Sequence, residues 1–225
     1  MMNETHLKIL FEDEWLIAID KPAGMLVHPG KEAEADEHIA LKSVRNYLEQ
    51  YAYVVHRLDR PTSGVLVFTK DQQTQSKLSI LFQTWQVKKK YYAVVLGETA
   101  LEGKVDIPVK RNDESEAMPS LTNFRRRNFI PAGEFAETSF SFVDVEPHTG
   151  RFHQIRRHFS WSGFPIMGDY LYGDIETNNR NAELTGVKRM MLMSYSLEFT
   201  HPQTGEQLQI EAEIPQEFKK FDKKS

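Results

Sequence analysis

The chain has 225 residues, of which 40% are hydrophobic and 27% are charged, a composition typical of a globular protein with one domain or two closely joined subdomains. It has no cysteine and no apolar run near the roughly 20 residues of a membrane span. This excludes disulfides, thiolate metal sites and a transmembrane helix, and it favours a cytoplasmic location. The formal net charge is −4, yet basic side chains cluster at 88–90, at 125–127 and at Arg151, Arg156 and Arg157, so a basic face could still attract phosphates.

The hydrophobic pattern predicts most of the regular structure. In chain order it predicts a hairpin, a helix, a strand, a helix with Asp71 as its N-cap, and a strand, over residues 7–20, 39–50, 64–70, 71–85 and 90–97. The polar stretch that follows is predicted as loop with two edge strands, 105–110 and 121–127. The pattern then predicts a strand over 138–146, a helix over 151–161 and a short strand over 165–169. A loop-rich stretch over 170–187 precedes two final strands, 189–200 and 207–214. Strands outnumber helices, so we expect an α+β fold with a mixed, largely antiparallel sheet flanked by helices.

One short segment stands out chemically. Residues 54–64 read Val-Val-His-Arg-Leu-Asp-Arg-Pro-Thr-Ser-Gly and place Asp59 between Arg57 and Arg60. Two arginines so close to a carboxylate can hold it ionised, and an ionised Asp in a tight loop can act as a nucleophile or a base. The residue types alone favour a surface loop with an ordinary salt bridge.

Three further segments could supply partners for Asp59. Tyr91 begins a strand beside the basic run 88–90, where it could act as an acid or base, stack on a nucleobase, or simply fill the core. Residues 149–158 place several cations near a helix N-terminus, which itself attracts anions. The alternative is a basic helix whose side chains are simply exposed to solvent. Burial of one of these arginines against a carboxylate would separate the two interpretations. Residues 168–173 are bracketed by glycines and predict a sharp turn.

Other chemistries fit poorly. His153 and His158 are five residues apart, which does not place two ligands on one helical face, and so no metal site is expected. The chain also lacks a Walker A loop, a dinucleotide-binding Gly-x-Gly-x-x-Gly and a Gly-x-Ser-x-Gly elbow. We therefore expect neither a metal nor a cofactor.

Taken together, four ordered blocks resemble the RluA-type family of RNA pseudouridine synthases. They are His-Arg-Leu-Asp-x-x-Thr-Ser-Gly, Lys-x-Tyr, Gly-Arg-x-His-Gln-Ile-Arg-x-His and Gly-Asp-x-x-Tyr-Gly, at residues 56–64, 89–91, 150–158 and 168–173. The opening hairpin, Leu-Phe-Glu-Asp-Glu-Trp-Leu-Ile-Ala-Ile-Asp-Lys-Pro-Ala-Gly, is also similar to that family. The resemblance covers residues 7–214 and implies an active-site cleft across the sheet.

The resemblance implies a reaction and roles for individual residues. The reaction would isomerise a flipped-out uridine of RNA to pseudouridine without cofactor or metal. Asp59 would be the catalytic carboxylate and Arg156 its partner, while Tyr91 would stack on the target base and remove the C5 proton. Arg57 would fill the space that the flipped nucleotide leaves. RNA contacts are expected from a wider set: His56, Arg57, Arg60, Lys89, Arg151 and Gln154.

The chain also departs from the family pattern. The catalytic hairpin begins almost at residue 1, without the N-terminal S4 domain of many relatives, so we expect residues 1–225 to form one catalytic domain that recognises RNA by itself. Residues 192–194 read Leu-Met-Ser where relatives usually have Leu-His-Ala. Arg60-Pro61 and the segment 173–190 look most like the subgroup that modifies uridine 65 in the acceptor and T-stem region of tRNA.

Three interpretations of the function stay open. tRNA is favoured as the substrate, and ribosomal RNA is the alternative, because RNA is recognised largely by its shape and its splayed bases. A non-catalytic RNA-binding protein on the same scaffold is the third interpretation. No coiled-coil seam or long apolar stripe is visible, so we expect a monomer that has no contact with membranes.

Overall fold

The structure, a computed structural model, describes residues 7–29, 38–134 and 136–222. The chain forms two compact units, one from Met1–Lys88 and Ser194–Ala212 and the other from Lys89–Met193 and Glu213–Ser225. In chain order the elements are β1 (Ile9–Glu12), β2 (Leu16–Lys21), α1 (Ala40–Leu48), β3 (Tyr53–Val54), β4 (Ser63–Thr69), α2 (Gln72–Gln83), β5 (Lys88–Leu96), β6 (Glu102–Asp106), β7 (Leu121–Ile130), β8 (Phe140–Pro147), α3 (Gln154–Trp161), α4 (Ile175–Thr185), β9 (Leu192–Thr200), β10 (Gln207–Glu211) and α5 (Gln216–Lys219).

The first unit is built on β2 and β4, which pair antiparallel with Ala18 opposite Val67. Both strands are apolar without alternation, and the runs 16–19 and 65–68 are fully buried. Such runs indicate strands covered on both faces. β1 pairs with β2, the short β3 pairs with β4, and the β9–β10 hairpin completes the sheet of this unit. The loop that enters β4, which contains Asp59, therefore ends on a rigid strand.

The second unit has an antiparallel sheet in the order β5–β8–β7–β6. α3 packs Ile155 and Phe159 into a core cluster with residues of β5 and β8, namely Ala93, Val95, Val143 and Val145. This burial of one helical face fixes which side chains of α3 turn away from the core. Tyr91 packs against the same cluster.

Several predicted elements are confirmed. The first hairpin, both early helices, the strands β4, β5 and β8 and the final hairpin form where they were expected. Asp71 caps α2, since its Oδ1 accepts a hydrogen bond from the Thr74 N–H at 2.8 Å. Among the described residues, none of the helices combines the length and the apolar character that crossing a membrane would require.

Other predictions about the second unit were wrong. β7 is not an edge strand, because it pairs with β6 on one side and β8 on the other. Residues 165–169 form no strand and contribute only an isolated bridge between Ile166 and Val95. α3 begins at Gln154 rather than Arg151, because His153 takes a left-handed backbone conformation with φ of 52°. The stretch predicted as loop contains α4, whose first turn is capped by Asp174.

Candidate active site

The Asp59 loop, residues 55–62, is fastened to the first unit by His56. The His56 Nε2 accepts a hydrogen bond from the Val67 N–H of β4 at 3.0 Å, and its ring stacks on Phe82 of α2 with 4.6 Å between centroids. Leu58 is buried, whereas Arg57 is exposed and Asp59 is partly exposed. The loop therefore alternates between anchoring side chains and side chains that reach solvent.

The end of the loop is tied to the segment that follows β2. The Arg60 carbonyl accepts hydrogen bonds from the Gly24 N–H at 2.8 Å and from the Lys21 Nζ at 3.2 Å, and the Arg60 Nε donates to the Gly24 carbonyl at 3.1 Å. Lys21 is fully buried, and its ammonium also donates to the carbonyls of Pro22 and Met25. One N–H of this buried ammonium thus holds the carbonyl of Arg60, the residue after Asp59, while its contacts with Pro22 and Met25 hold the segment that follows β2.

Gly64 explains why the motif ends in glycine. Its φ is +109°, and a Cβ placed there would lie 2.0 Å from the carbonyl oxygen of Ser194 in β9. Only glycine permits both this backbone conformation and this close approach. The Ser194 side chain is itself buried, and its Oγ has no hydrogen-bond partner among the described residues.

In the second unit, the basic segment places Arg156 inside the protein. Only 5% of Arg156 is exposed, and its Nε and Nη2 donate to Oδ2 and Oδ1 of Asp169 at 2.7 and 2.8 Å. Burial alone would raise the pKa of Asp169, but the hydrogen bonds and the charge of Arg156 outweigh it and lower the pKa. A buried, bidentate pair rules out a merely solvated helix. The expected pairing of Arg156 with Asp59 stays a prediction.

The glycine-bracketed turn, residues 168–173, holds the carboxylate of Asp169 in place. Gly168 has φ of +76°, and a Cβ there would lie 2.3 Å from the Arg189 carbonyl oxygen. The Asp169 Oδ1 accepts hydrogen bonds from the N–H groups of Leu171 and Tyr172. Asn178 of α4 holds the start of this turn, because its Nδ2 donates to the Asp169 carbonyl and its Oδ1 accepts from the Gly168 N–H.

A buried polar network supports the start of α3. The Gln154 Oε1 accepts from the Thr149 hydroxyl and the Arg151 N–H, and its Nε2 donates to the Leu121 carbonyl and the Thr122 hydroxyl. The Thr122 oxygen also lies 2.9 Å from Nδ1 of His158, a ring whose pKa is lowered by burial. The amide of Gln154 therefore makes all four of its hydrogen bonds inside the protein.

Lys89 and Tyr91 are residues of β5, and Lys89 contacts the segment that precedes α3. Lys89 Nζ donates to the Thr149 carbonyl at 2.9 Å, and burial lowers the pKa of Lys89 to about 8. Tyr91 is partly buried and lies opposite Val145 of β8. Arg151 is partly exposed, and its Nε approaches the Pro119 carbonyl at 3.4 Å.

These motifs coincide with a known family. A family model described as RNA pseudouridylate synthase matches residues 15–161. The tRNA pseudouridine synthase C of Haemophilus ducreyi is 38% identical over 225 residues, an alignment that spans 94% of this chain and 93% of the relative. The chain belongs to the RNA pseudouridylate synthase family. It is thus an isomerase that converts uridine to pseudouridine in RNA.

A further relative agrees with this membership of the pseudouridylate synthase family, and solved structures share the fold. The tRNA pseudouridine synthase C of Pasteurella multocida is 37% identical over 226 residues and aligns over 94% of this chain and 93% of its own length. The human RNA pseudouridylate synthase domain containing 4 has a TM-score of 0.72 at 25% identity, covering 94% of this chain and 90% of that one. The human domain containing 1 shares the fold at a TM-score of 0.77 and 23% identity, over 96% of this chain and 87% of that one. The expected α+β pseudouridine synthase fold is confirmed.

The structure also shows supporting residues that the sequence did not single out. Lys21 and Asn178 hold the backbone next to Asp59 and Asp169, and Asp169 itself was noticed only as part of a turn. Their signals were weak, because a lysine after a strand and an asparagine in a polar stretch are normally solvated. Complete burial is what separates them from surface residues.

Proposed function

We propose that this chain modifies tRNA, with uridine 65 as the target. The observation that carries the proposal is the set of curated relatives named tRNA pseudouridine synthase C, which are 33–38% identical over nearly the whole chain. They include the Haemophilus influenzae protein, at 33% identity over 229 residues. Ribosomal RNA as the substrate is an outcome of the test rather than a second proposal.

Asp59 is the proposed catalytic carboxylate. During the isomerisation the bond between C1′ and N1 breaks, the base turns, a bond forms between C1′ and C5, and the C5 proton is released while N1 regains one. A carboxylate can assist by attacking an electrophilic carbon or by accepting a proton. The anchors at His56, Lys21 and Gly24 support this role, because a reacting group must be held in place.

Arg156 and Tyr91 complete the proposed catalytic set. Arg156, whose Nε and Nη2 donate to Asp169, is the proposed partner of Asp59. Asp169 would then orient the guanidinium plane and hold its charge in a buried place. Tyr91 would stack on the turned base and take the C5 proton, and its packing against the core cluster would keep the ring in one orientation.

The contacts within the protein reduce the set of residues that we propose to bind RNA. Arg57, exposed on the Asp59 loop, remains the residue proposed to replace the flipped nucleotide, and Arg60 and Arg151 remain proposed phosphate contacts. The contacts of Gln154 and His56 favour internal, supporting roles, because their polar atoms hold backbone and side-chain groups of the protein. The contact between Lys89 and Thr149 favours the same role for Lys89.

The oligomeric state, the location and the independence from cofactors and membranes belong to the same proposal. We infer that the chain acts as a monomeric, single catalytic domain in the cytoplasm and needs neither a cofactor nor a membrane. The absence of cysteine in the sequence supports a reducing compartment. Light scattering of the purified protein, alone and with tRNA, would test the oligomeric state.

Mapping pseudouridine with a carbodiimide reagent tests the proposal. Transcribed tRNA and, separately, transcribed ribosomal RNA are incubated with the wild type, with Asp59→Asn and with Asp113→Asn, a control at an exposed aspartate on another loop. We expect pseudouridine at one tRNA position with the wild type and the control, and none with Asp59→Asn. Modification of ribosomal RNA with tRNA unchanged would overturn the tRNA assignment. Full modification by Asp59→Asn would overturn the role of Asp59.

A further inference from the structure

Four side chains of the second unit form an aromatic and cationic surface, which we call the Phe152 platform: Phe152, His153, Arg157 and Tyr172. The rings of Phe152 and His153 stack with 3.8 Å between centroids at 20°, and the His153 ring meets Tyr172 edge-on at 5.6 Å. Phe152 nevertheless leaves 47% of its surface exposed. An aromatic stack that remains open to solvent is available for a further stacking partner.

Arg157 adds a fixed positive charge to the platform. Its Cζ lies 5.3 Å from the ring centroid of Phe152 and 5.6 Å from that of Tyr172. Its Nε donates to the Tyr172 hydroxyl at 2.9 Å, and its Nη1 donates to the Lys110 carbonyl. The guanidinium is therefore held against two rings while staying partly exposed.

The backbone under the platform is also fixed. His153 has φ of 52°, in the left-handed region, directly after Phe152 and directly before α3. Its Nδ1 lies 2.9 Å from the Tyr172 hydroxyl, so the side chain is held along with the backbone. A non-glycine residue in this conformation costs about 1–3 kcal/mol and persists where its surroundings enforce it.

A purely structural role for Phe152 predicts a different geometry. Phe152 precedes the N-cap of α3, and Arg157 occupies the fourth helical position, so the two occupy the positions of a hydrophobic staple. A staple buries two apolar side chains against each other. Here one partner is a cation and the other is nearly half exposed, so the pair is not the apolar contact of a staple.

We propose that the Phe152 platform binds an unstacked nucleobase of the RNA beside the target uridine, with the base stacked on Phe152 and the neighbouring phosphate on Arg157. Every base has a π-face, so such a site tolerates any base. Its place next to the target rests on the proposed function. The Cζ of Arg156, the proposed catalytic arginine, lies 5.0 Å from the ring centroid of Tyr172 in the platform.

Steady-state kinetics on transcribed tRNA test the stacking contact. We expect Phe152→Ala to raise KM about 5-fold to 150-fold, the range for loss of one base–aromatic stack. Phe152→Trp should restore KM to within a factor of two or so, whereas Phe152→Leu, apolar but without a π-face, should not. Tyr51→Ala is the matched control, because Tyr51 is an exposed aromatic residue with Arg45 5.3 Å from its ring. An unchanged KM in Phe152→Ala, or full rescue by leucine, would overturn the proposal.

Photocrosslinking locates the contact directly. Trypsin cleaves after Arg151 and Arg156, so Phe152 lies in the short peptide Phe-His-Gln-Ile-Arg. We expect this peptide to carry a nucleotide adduct after irradiation of the complex with tRNA. Recovery of adducts only on other peptides would contradict the platform. Failure of the wild type to modify any RNA would instead refute the proposed function, so the two failures are distinguishable.

Discussion

Replacing Gly64 by alanine should damage the Asp59 loop through two separable effects. The first is backbone strain, because φ of +109° is outside the range that L-residues adopt, at a cost of about 1–3 kcal/mol. The second is steric overlap, because the new Cβ would lie 2.0 Å from the Ser194 carbonyl oxygen. Forcing extra atoms into a packed site costs about 1–3 kcal/mol more. We therefore expect Gly64→Ala to lower the free energy of unfolding by about 2–6 kcal/mol.

Gly205→Ala provides the matched control in the same unit. Gly205 also has positive φ, +77°, but a Cβ there would meet no atom within 4 Å. Only the strain remains, so the expected loss is about 1–2 kcal/mol. The overlap at Gly64 involves a backbone oxygen, and a second substitution, Ser194→Ala, should not relieve it.

Urea unfolding followed by tryptophan fluorescence measures both losses. Activity on tRNA should then be compared under conditions where each variant is folded, because a displaced Asp59 loop predicts that Gly64→Ala is slow even when folded. Gly205→Ala should retain wild-type activity. Equal destabilisation by the two substitutions, or full activity of folded Gly64→Ala, would refute the reasoning.

Three further predictions concern buried polar groups. Because burial holds the pKa of Lys89 at about 8 against 10.5 in the unfolded chain, the unfolded state binds more protons between these values, so unfolding should become less favourable as pH rises from 8 to 10.5. In urea titrations, Lys89→Met should reduce this increase in the free energy of unfolding by at most about 3 kcal/mol. Identical pH profiles of the wild type and the variant would contradict the prediction. Asp169→Asn should lower the free energy of unfolding by about 3 kcal/mol, because buried Arg156 loses its bidentate counter-charge; a loss below about 1 kcal/mol in urea would count against the pair. Ser194→Ala should stabilise the protein by about 1 kcal/mol and so raise its melting temperature slightly, because it removes a buried hydroxyl without a partner in the described part of the chain. A lower melting temperature would show that this hydroxyl contributes to stability.

The parts of the fold that were predictable are those in which hydrophobic periodicity dominates. β2 and β4 are continuous apolar runs, and α2 begins at an Asp cap with apolar residues along one face. α4 was missed because its sequence, Ile-Glu-Thr-Asn-Asn-Arg-Asn-Ala-Glu-Leu-Thr, has few apolar side chains. Its cap residues, Asp174 and Gly186, were visible, but caps alone do not predict a helix.

What the sequence could not predict at the candidate active site has a different cause. The motif at 56–64 identified Asp59, yet nothing local in the sequence shows that Arg156 binds Asp169, which lies 13 residues further along the chain. The start of α3 was misplaced because the left-handed conformation of His153 depends on contacts such as that with Tyr172. Tertiary contacts of this kind are invisible to periodicity and propensity.

Release of tritium from tRNA carrying uridine labelled at C5 tests the central claim most directly. Formation of pseudouridine replaces the C5–H bond by a bond to C1′, so each completed turnover frees the label. The account predicts tritium release by the wild type, and none by Asp59→Asn at equal folded concentration. Release by Asp59→Asn at the wild-type rate would contradict the assignment of Asp59 as the catalytic carboxylate.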